Sequence, residues 1–304
     1  MTIRTINTFP FETEFLLGEI RCDVPKPTIS YKPGVIYLAH KAEPRPPHKP
    51  GYDLLPEVPR QALLMPEWLK TENRSDGIFW NPCHAQADSF LDLETVVFKV
   101  DAGQTLDWDL AVEFRYTPGP DWIDLEMRLL PNRAHEGFDF FFASYIVEDM
   151  ESTWVPALID GKEEWRKLDN RKTEPWGRMY GVPRDDTYRQ MMFDGRYAGV
   201  EEDRGGIEDY CYSRPIIVCH KQETGLACVT LIEPEKNRVL CGQKHQHETA
   251  HDFTFSGDLA PGELFTGKAR LVVRNIGSFP DAVHELNKMW DEFHKQLSTG
   301  REVL

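Results

Sequence analysis

The sequence predicts a mainly β protein of the antiparallel sandwich type. Three observations carry that prediction. Apolar and polar residues alternate with a period of two along 106–116 and again along 123–129. The run FDFFFASYIV at 138–147 is apolar at both parities, as in a central strand covered on both faces. Strand-like runs separated by Gly- and Pro-containing turns recur from 215 to 274.

Taken in order, residues 1–75 are rich in proline and lack a period. Proline fixes φ and removes a ladder donor, so this stretch reads as a short strand or two at Gly34–His40 plus a long N-terminal arm lying on the domain. QALLMPEWLK reads as a helical turn. The β core is expected over 76–275, within one domain spanning 1–304. TVVFKV is a strand. Leu106, Trp108, Leu110, Val112, Phe114 and Tyr116 alternate with Asp107, Asp109, Ala111, Glu113 and Arg115, predicting one long strand with a wet face. TPGPD turns the chain. Ile123, Leu125, Met127 and Leu129 then form the return strand.

Residues 150–210 break the rhythm with many charges and aromatic residues, which predicts an irregular segment that serves or covers a site. PIIVCHK and LACVTLI flank QETG as a hairpin, with Lys221 opposite Leu226 and Cys219 opposite Cys228. A disulfide between those cysteines would be strained, so free thiols are expected. RVLCGQKHQH, HDFTFSGDL and LFTGKARLVVR supply further strands. A helix over 278–298 closes the chain: Ser278 is the N-cap, Pro280 lies in the first turn, and Val283, Leu286, Trp290, Phe293 and Leu297 form one stripe.

Composition bounds the partners. The net charge is −15 and no Lys/Arg-rich run occurs, which argues against nucleic acid and against a long polyanionic polysaccharide. No apolar run approaches the length of a membrane span, and the first residues lack a signal-peptide core, so the expected location is the cytoplasm. The six cysteines show no paired short spacing and read as reduced thiols. No P-loop, Rossmann glycine set or GxSxG occurs, which leaves phosphoryl transfer, hydride transfer and serine hydrolysis without support.

Two passages carry a resemblance. LEMRLLPNRAHEGFDFFFASYI is similar to a strand–Asn–loop–His–strand passage, and DLAPGELFTGKARLVV to a late strand, Pro-Gly-Glu turn and final strand. With the long amphipathic strands, they resemble the galactose mutarotase-like superfamily, the β-supersandwich of aldose 1-epimerases and several sugar lyases. The resemblance covers most of 85–275. FASYI stands where aldose epimerases carry His-Pro-Tyr-Phe, and their late Glu/Pro/Asn signature is absent. The resemblance therefore implies an antiparallel supersandwich, with the arm and closing helix added, and a sugar substrate more than a particular reaction.

The implied function is proton transfer on a small or neutral sugar, either epimerisation or elimination β to a carbonyl. The alternatives are a non-catalytic sugar-binding protein, a glycoside hydrolase, and a structural subunit whose arm wraps a neighbour in a homo-oligomer. His135 matches the family position that polarises a ring or carbonyl oxygen. His245 and His247 project from one face if extended, roughly 7 Å apart, which suits acid/base work or a metal completed by His220 or Glu248. No cofactor is required, and a divalent metal is allowed at that pair. Tyr180 is a candidate base if Arg178 depresses its pKa. Trp80, His84 and Trp176, with Arg178, are expected to shape the sugar pocket. Arg189 and Arg196 are alternatives for binding a carboxylate.

Overall fold

A computed structural model describes residues 8–21, 34–42, 64–71, 88–105, 108–147, 150, 152–168, 179–193, 205–244, 248–279 and 281–299. Among these residues the order is β1 (Thr8–Glu12), β2 (Leu16–Arg21), β3 (Gly34–His40), β4 (Met65–Thr71), β5 (Asp88–Asp92), β6 (Thr95–Val100), β7 (Leu110–Pro118), β8 (Trp122–Pro131), β9 (His135–Val147), β10 (Ser152–Ile159) and β11 (Lys162–Lys167). There follow β12 (Met179–Pro183), α1 (Asp186–Phe193), β13 (Gly205–Ile207), β14 (Cys211–Tyr212), β15 (Ile216–His220), β16 (Leu226–Ile232), β17 (Val239–Lys244), β18 (Glu248–Leu259), β19 (Phe265–Asn275) and α2 (Val283–Thr299).

These strands form three sheets. β1, β2 and β3 make a small one. Six strands run in the order β13-β12-β17-β18-β9-β4. The large sheet runs β11-β10-β15-β16-β19-β8-β7-β6-β5, with β14 paired to β10. Pairing is antiparallel except between β12 and β13.

The six-stranded and large sheets pack face to face, as alternation requires of amphipathic strands. Phe138, Phe140 and Phe142 of β9 and Phe253 and Phe255 of β18 are fully buried in a core shared with Phe98, Val112, Phe114, Met127 and Leu271 of the large sheet. Phe114 meets Phe140 and Phe142 edge-on, at 5.4 and 5.8 Å between ring centroids. Gly267 of β19 lies under this layer, where a Cβ would meet the Phe255 ring at 2.7 Å.

The large sheet's other face divides into two zones. Over β15, β16 and β19, the apolar residues Ile216, Val218, Val229 and Val272 receive Leu286, Met289, Trp290, Phe293 and Leu297 of α2. Over β7 and β8, a ladder of alternating charge faces outward, with Glu113 opposite Arg128 and Arg115 opposite Glu126. Ion pairs clamp the helix at the boundary. Buried Arg270 donates two bonds to Asp124 (2.6 and 2.8 Å) and one to Gln296 of α2 (2.6 Å), and its guanidinium lies 4.5 Å from the Trp122 ring. Arg274 joins Asp121 to Glu285 in the same way. Arg270→Met keeps the aliphatic stem and drops the fork. It should lower stability by about 2 kcal/mol, read as a lower urea midpoint; an unchanged midpoint would show that packing alone holds α2.

The structure revises four sequence expectations. Strand β7 begins at Leu110, not Leu106: Asp109 takes φ +45°, and Thr105 Oγ1 bonds the carbonyl of Leu110 and accepts its N–H, closing a turn. The region 150–210 contains a hairpin, β10–β11, turned by Asp160 and Gly161, both at positive φ. QALLMPEWLK contains strand β4, not a helical turn. Pro66 is tolerated there because β4 is an outer strand and its register shifts between Pro66 and Trp68. The arm contributes β1 and β2 besides the expected β3.

Other expectations stand. Cys219 lies opposite Cys228, Lys221 N–H bonds Leu226 O at 2.8 Å, and the two cysteines are not joined in a disulfide. Leu286, Trp290, Phe293 and Leu297 of the helical stripe are buried as read, but Val283 is only half-buried and Ala282 and Met289 join the cluster; α2 starts at Val283 after a turn in which Ser278 Oγ bonds Asp281. Among the described residues, no helix is long and apolar enough to cross a membrane.

Candidate functional site

Strand alternation gives the six-stranded sheet a second face, turned away from the large sheet. Between the core phenylalanines of β9, the residues on that face are Asp139, Phe141, Ala143 and Tyr145. Their partners on β18 are Ser256, Thr254, Asp252 and Ala250. Cys241 of β17 lies beside Asp252, and Gly181 of β12 lies beyond it.

This face is buried but polar. Asp139 is 1% exposed, Asp252 2% and Arg238 7%, with Ser256 and Thr254 also buried. Burying charge costs several kcal/mol per ion unless it is paired and hydrogen-bonded, so such a set demands local compensation. Ser256 Oγ donates to Asp139 Oδ1 and lies 2.9 Å from Thr254 Oγ1. Arg238 Nη1 is 4.0 Å from Asp139 Oδ1, and its guanidinium stands 5.1 Å from the Tyr188 ring. Tyr188 belongs to α1, whose first turn is capped by Asp185 accepting the Tyr188 N–H at 3.1 Å. Arg184 also stacks on that ring and donates to its hydroxyl at 2.9 Å. Asp139 is thus tied into a scaffold. Asp252 sits between small neighbours, Ala143 and Cys241, with half-buried Tyr145 diagonally across the strand pair, roughly 7 Å away.

Of the proposed catalytic residues, His135 and Tyr180 fall among those described. His135 is the first residue of β9, buried, with its ring 5.1 Å from that of Trp108. Its Nε2 donates to the carbonyl of Trp108 at 2.7 Å, which sets the tautomer. Burial lowers its pKa, partly opposed by that hydrogen bond. This geometry makes His135 a plug at the end of the core. Tyr180 is half-buried on β12, in the row Gly206–Tyr180–Gly242–His251–Ser144. That row faces the large sheet, opposite to Asp139 and Asp252.

The structure does not bring these residues together. Ser144 lies nine positions along β9 from His135, roughly 30 Å at strand rise. Lys244 and Glu248, which flank 245–247, lie at the far end of β9 from His135, because Glu248 pairs with Val147. His135 is therefore remote from Lys244 and Glu248. His245 and His247, with Trp80, His84, Trp176, Arg178 and Arg196, lie outside the described residues. Arg189 lies on α1, with Nη2 3.3 Å from Cys211 Sγ. His220, offered as a third ligand, instead bonds the Gly277 carbonyl through Nε2 at 2.8 Å. Among the described residues, no group of three His, Cys, Asp or Glu side chains could hold a metal.

His251, next to Asp252, points the other way. It is fully buried in the inner layer, burial pushes its pKa down to about 3, and neither ring nitrogen has a hydrogen-bond partner among the described residues. Asp139, Asp252 and Arg238 were missed in the sequence reading. The available signal was a carboxylate set inside an apolar strand, in FDFFF and HDFTF.

No family model matches the sequence, and a comparison with curated proteins finds no match. Solved structures do match. The Slr1438 protein of Synechocystis sp. PCC 6803 superposes with a TM-score of 0.57 at 10% identity, covering 90% of this chain and 98% of that one. A candidate aldose 1-epimerase from Escherichia coli K12 superposes with a TM-score of 0.54 at 8% identity, covering 88% and 98%. At such identities the likeness speaks for the fold alone. The chain shares the antiparallel β-sandwich fold of these two structures.

Proposed function

We propose that this protein moves a proton on a small, neutral sugar bound at the outer face of the six-stranded sheet. The observation that carries the reading is the buried Asp139, Asp252 and Arg238 set on a face the core does not use. Charged groups kept in a low-dielectric setting are candidates for acid/base work. In this reading Asp252 takes the proton from the anomeric hydroxyl, Tyr145 gives one to the ring oxygen, and the steps reverse on the other face of C1. Asp139 and Arg238 hold the wall. The fold and the sequence resemblance support the substrate class.

Two-carboxylate glycoside hydrolysis fits this pair poorly. Asp139 and Asp252 are separated by four positions along the strands and one strand across, about 14 Å at the backbone, beyond the roughly 5–9.5 Å that such acids need.

The test is NMR of a panel of neutral aldoses and ketoses, following anomer interconversion and solvent exchange of ring protons. Wild type should accelerate one sugar above buffer. Asp252→Asn should cut that rate at least tenfold with the fold intact, whereas His135→Gln should keep the rate and lose stability. No acceleration with any sugar, or full activity in Asp252→Asn, would sink the reading. Binding without exchange would favour a non-catalytic sugar-binding protein.

A further inference from the structure

The turn between β5 and β6 is two residues long, Leu93 and Glu94, since Asp92 pairs with Thr95. Leu93 takes φ +55° and is 90% exposed. A left-handed backbone is strained for a branched residue, and among the described residues the other non-glycine residues with positive φ are both aspartates, which tolerate it. Leucine here accepts strain and hydration together, with little burial against the rest of the chain. Backbone strain kept without local benefit points to a role outside the fold.

Leu93 borders a groove of about 500 Å³ at the same end of the molecule. Phe9, Phe11, Pro118 and Pro120 give it an apolar floor. The β1–β2 hairpin forms one wall and is fixed there, because Thr13 Oγ1 and Phe15 N–H both donate to Pro120 O, at 2.6 and 3.1 Å. Phe15 and Leu91 add exposed apolar surface nearby. The rim is acidic: Glu12, Glu14 and Glu94 line it, and among the described residues no Lys or Arg does. Lys41 neutralises Glu12 at 2.6 Å, while Glu14 and Glu94 have no ion pair among the described residues.

We propose that this groove docks an extended segment of a partner protein in which apolar side chains alternate with Lys or Arg, with Leu93 as the exposed anchor. Charge selects that occupant over a second copy of the chain. Antiparallel self-pairing of β5 about Phe90 would set Asp88 against Asp92 twice, and each chain carries a net charge of −15.

The test uses three labelled heptapeptides in fluorescence anisotropy against the full chain: lysine alternating with leucine and phenylalanine, its glutamate counterpart, and lysine alternating with serine. The first should bind at least tenfold more tightly than the other two. Leu93→Asn should weaken it at least fivefold while leaving the melting temperature unchanged or raised, since Asn tolerates the left-handed backbone. Glu14→Lys with Glu94→Lys should weaken it at least tenfold. Equal binding of the two lysine peptides, no binding of the first, or an unaltered Leu93→Asn would overturn the proposal. So would Leu93-dependent binding to phosphatidylcholine vesicles without peptide binding, which would make the groove a lipid contact.

Discussion

Phe142→Ala should lower the unfolding free energy by about 3–5 kcal/mol, the largest single-residue loss expected in this chain. Phe142 is fully buried at the centre of β9. Its ring stacks on Phe253 at 5.3 Å, meets Phe114 and Phe255 edge-on at 5.8 and 5.3 Å, and tilts against Phe140 at 5.3 Å. Truncation removes the transfer energy of a whole ring and leaves a cavity that two facing sheets cannot close, because each is held by its own ladder. Urea unfolding would show the loss as a lower midpoint with a preserved slope. A loss below about 1 kcal/mol would mean that the two sheets do not share this core. Outward-facing Arg128, half exposed in the charge ladder, is the contrast: its replacement by Gln should cost under about 1 kcal/mol.

Acidification should destabilise the protein through His251. Its folded pKa is about 3, against an ordinary value of 6.5. Between those values the unfolded chain holds a proton that the folded chain does not, so stability rises with pH in that window and is complete above it. Each pH unit below 6.5 then removes about 1.4 kcal/mol, or about 3 kcal/mol by pH 4.5. The cause is geometric: the ring lies in the inner layer beside Ser144 and Gly242, with no hydrogen-bond partner among the described residues to hold a proton. His251→Leu should flatten the pH dependence between 4.5 and 6.5 relative to wild type. Equal slopes in the two proteins would show that His251 reaches water or a carboxylate. His135, whose pKa burial also lowers, acts in the same direction and should remain as a residual slope in the variant.

Local pattern carried much of the fold. The double-parity run at 138–147 announced a strand covered on both sides, and β9 is flanked by β18 and β4 with both faces buried. The hairpin around QETG and the stripe of α2 were equally legible, because a turn of fixed length sets register and a helical period sets one face. Strand β4 was not, since Pro66 is admissible only in an outer strand with a register shift, and strand order does not show in a linear chain. The β10–β11 hairpin was hidden by its charged outer strand, although Asp160–Gly161 is a strong turn signal.

The candidate site was much less legible. Histidines drew attention because their chemistry is recognisable and because two stand close together in sequence. Sequence nearness, however, says nothing about which end of a strand a residue occupies. His135 and the residues flanking 245–247 lie at opposite ends of β9. The sequence by itself determined the alternation, hence that His251 and Asp252 look in opposite directions and that antiparallel amphipathic strands must bury one face. Only the tertiary structure decided which direction is the interior. That choice depends on which sheet packs against which face: it placed His251 with the phenylalanines and placed Asp252 and Asp139 on the opposite face.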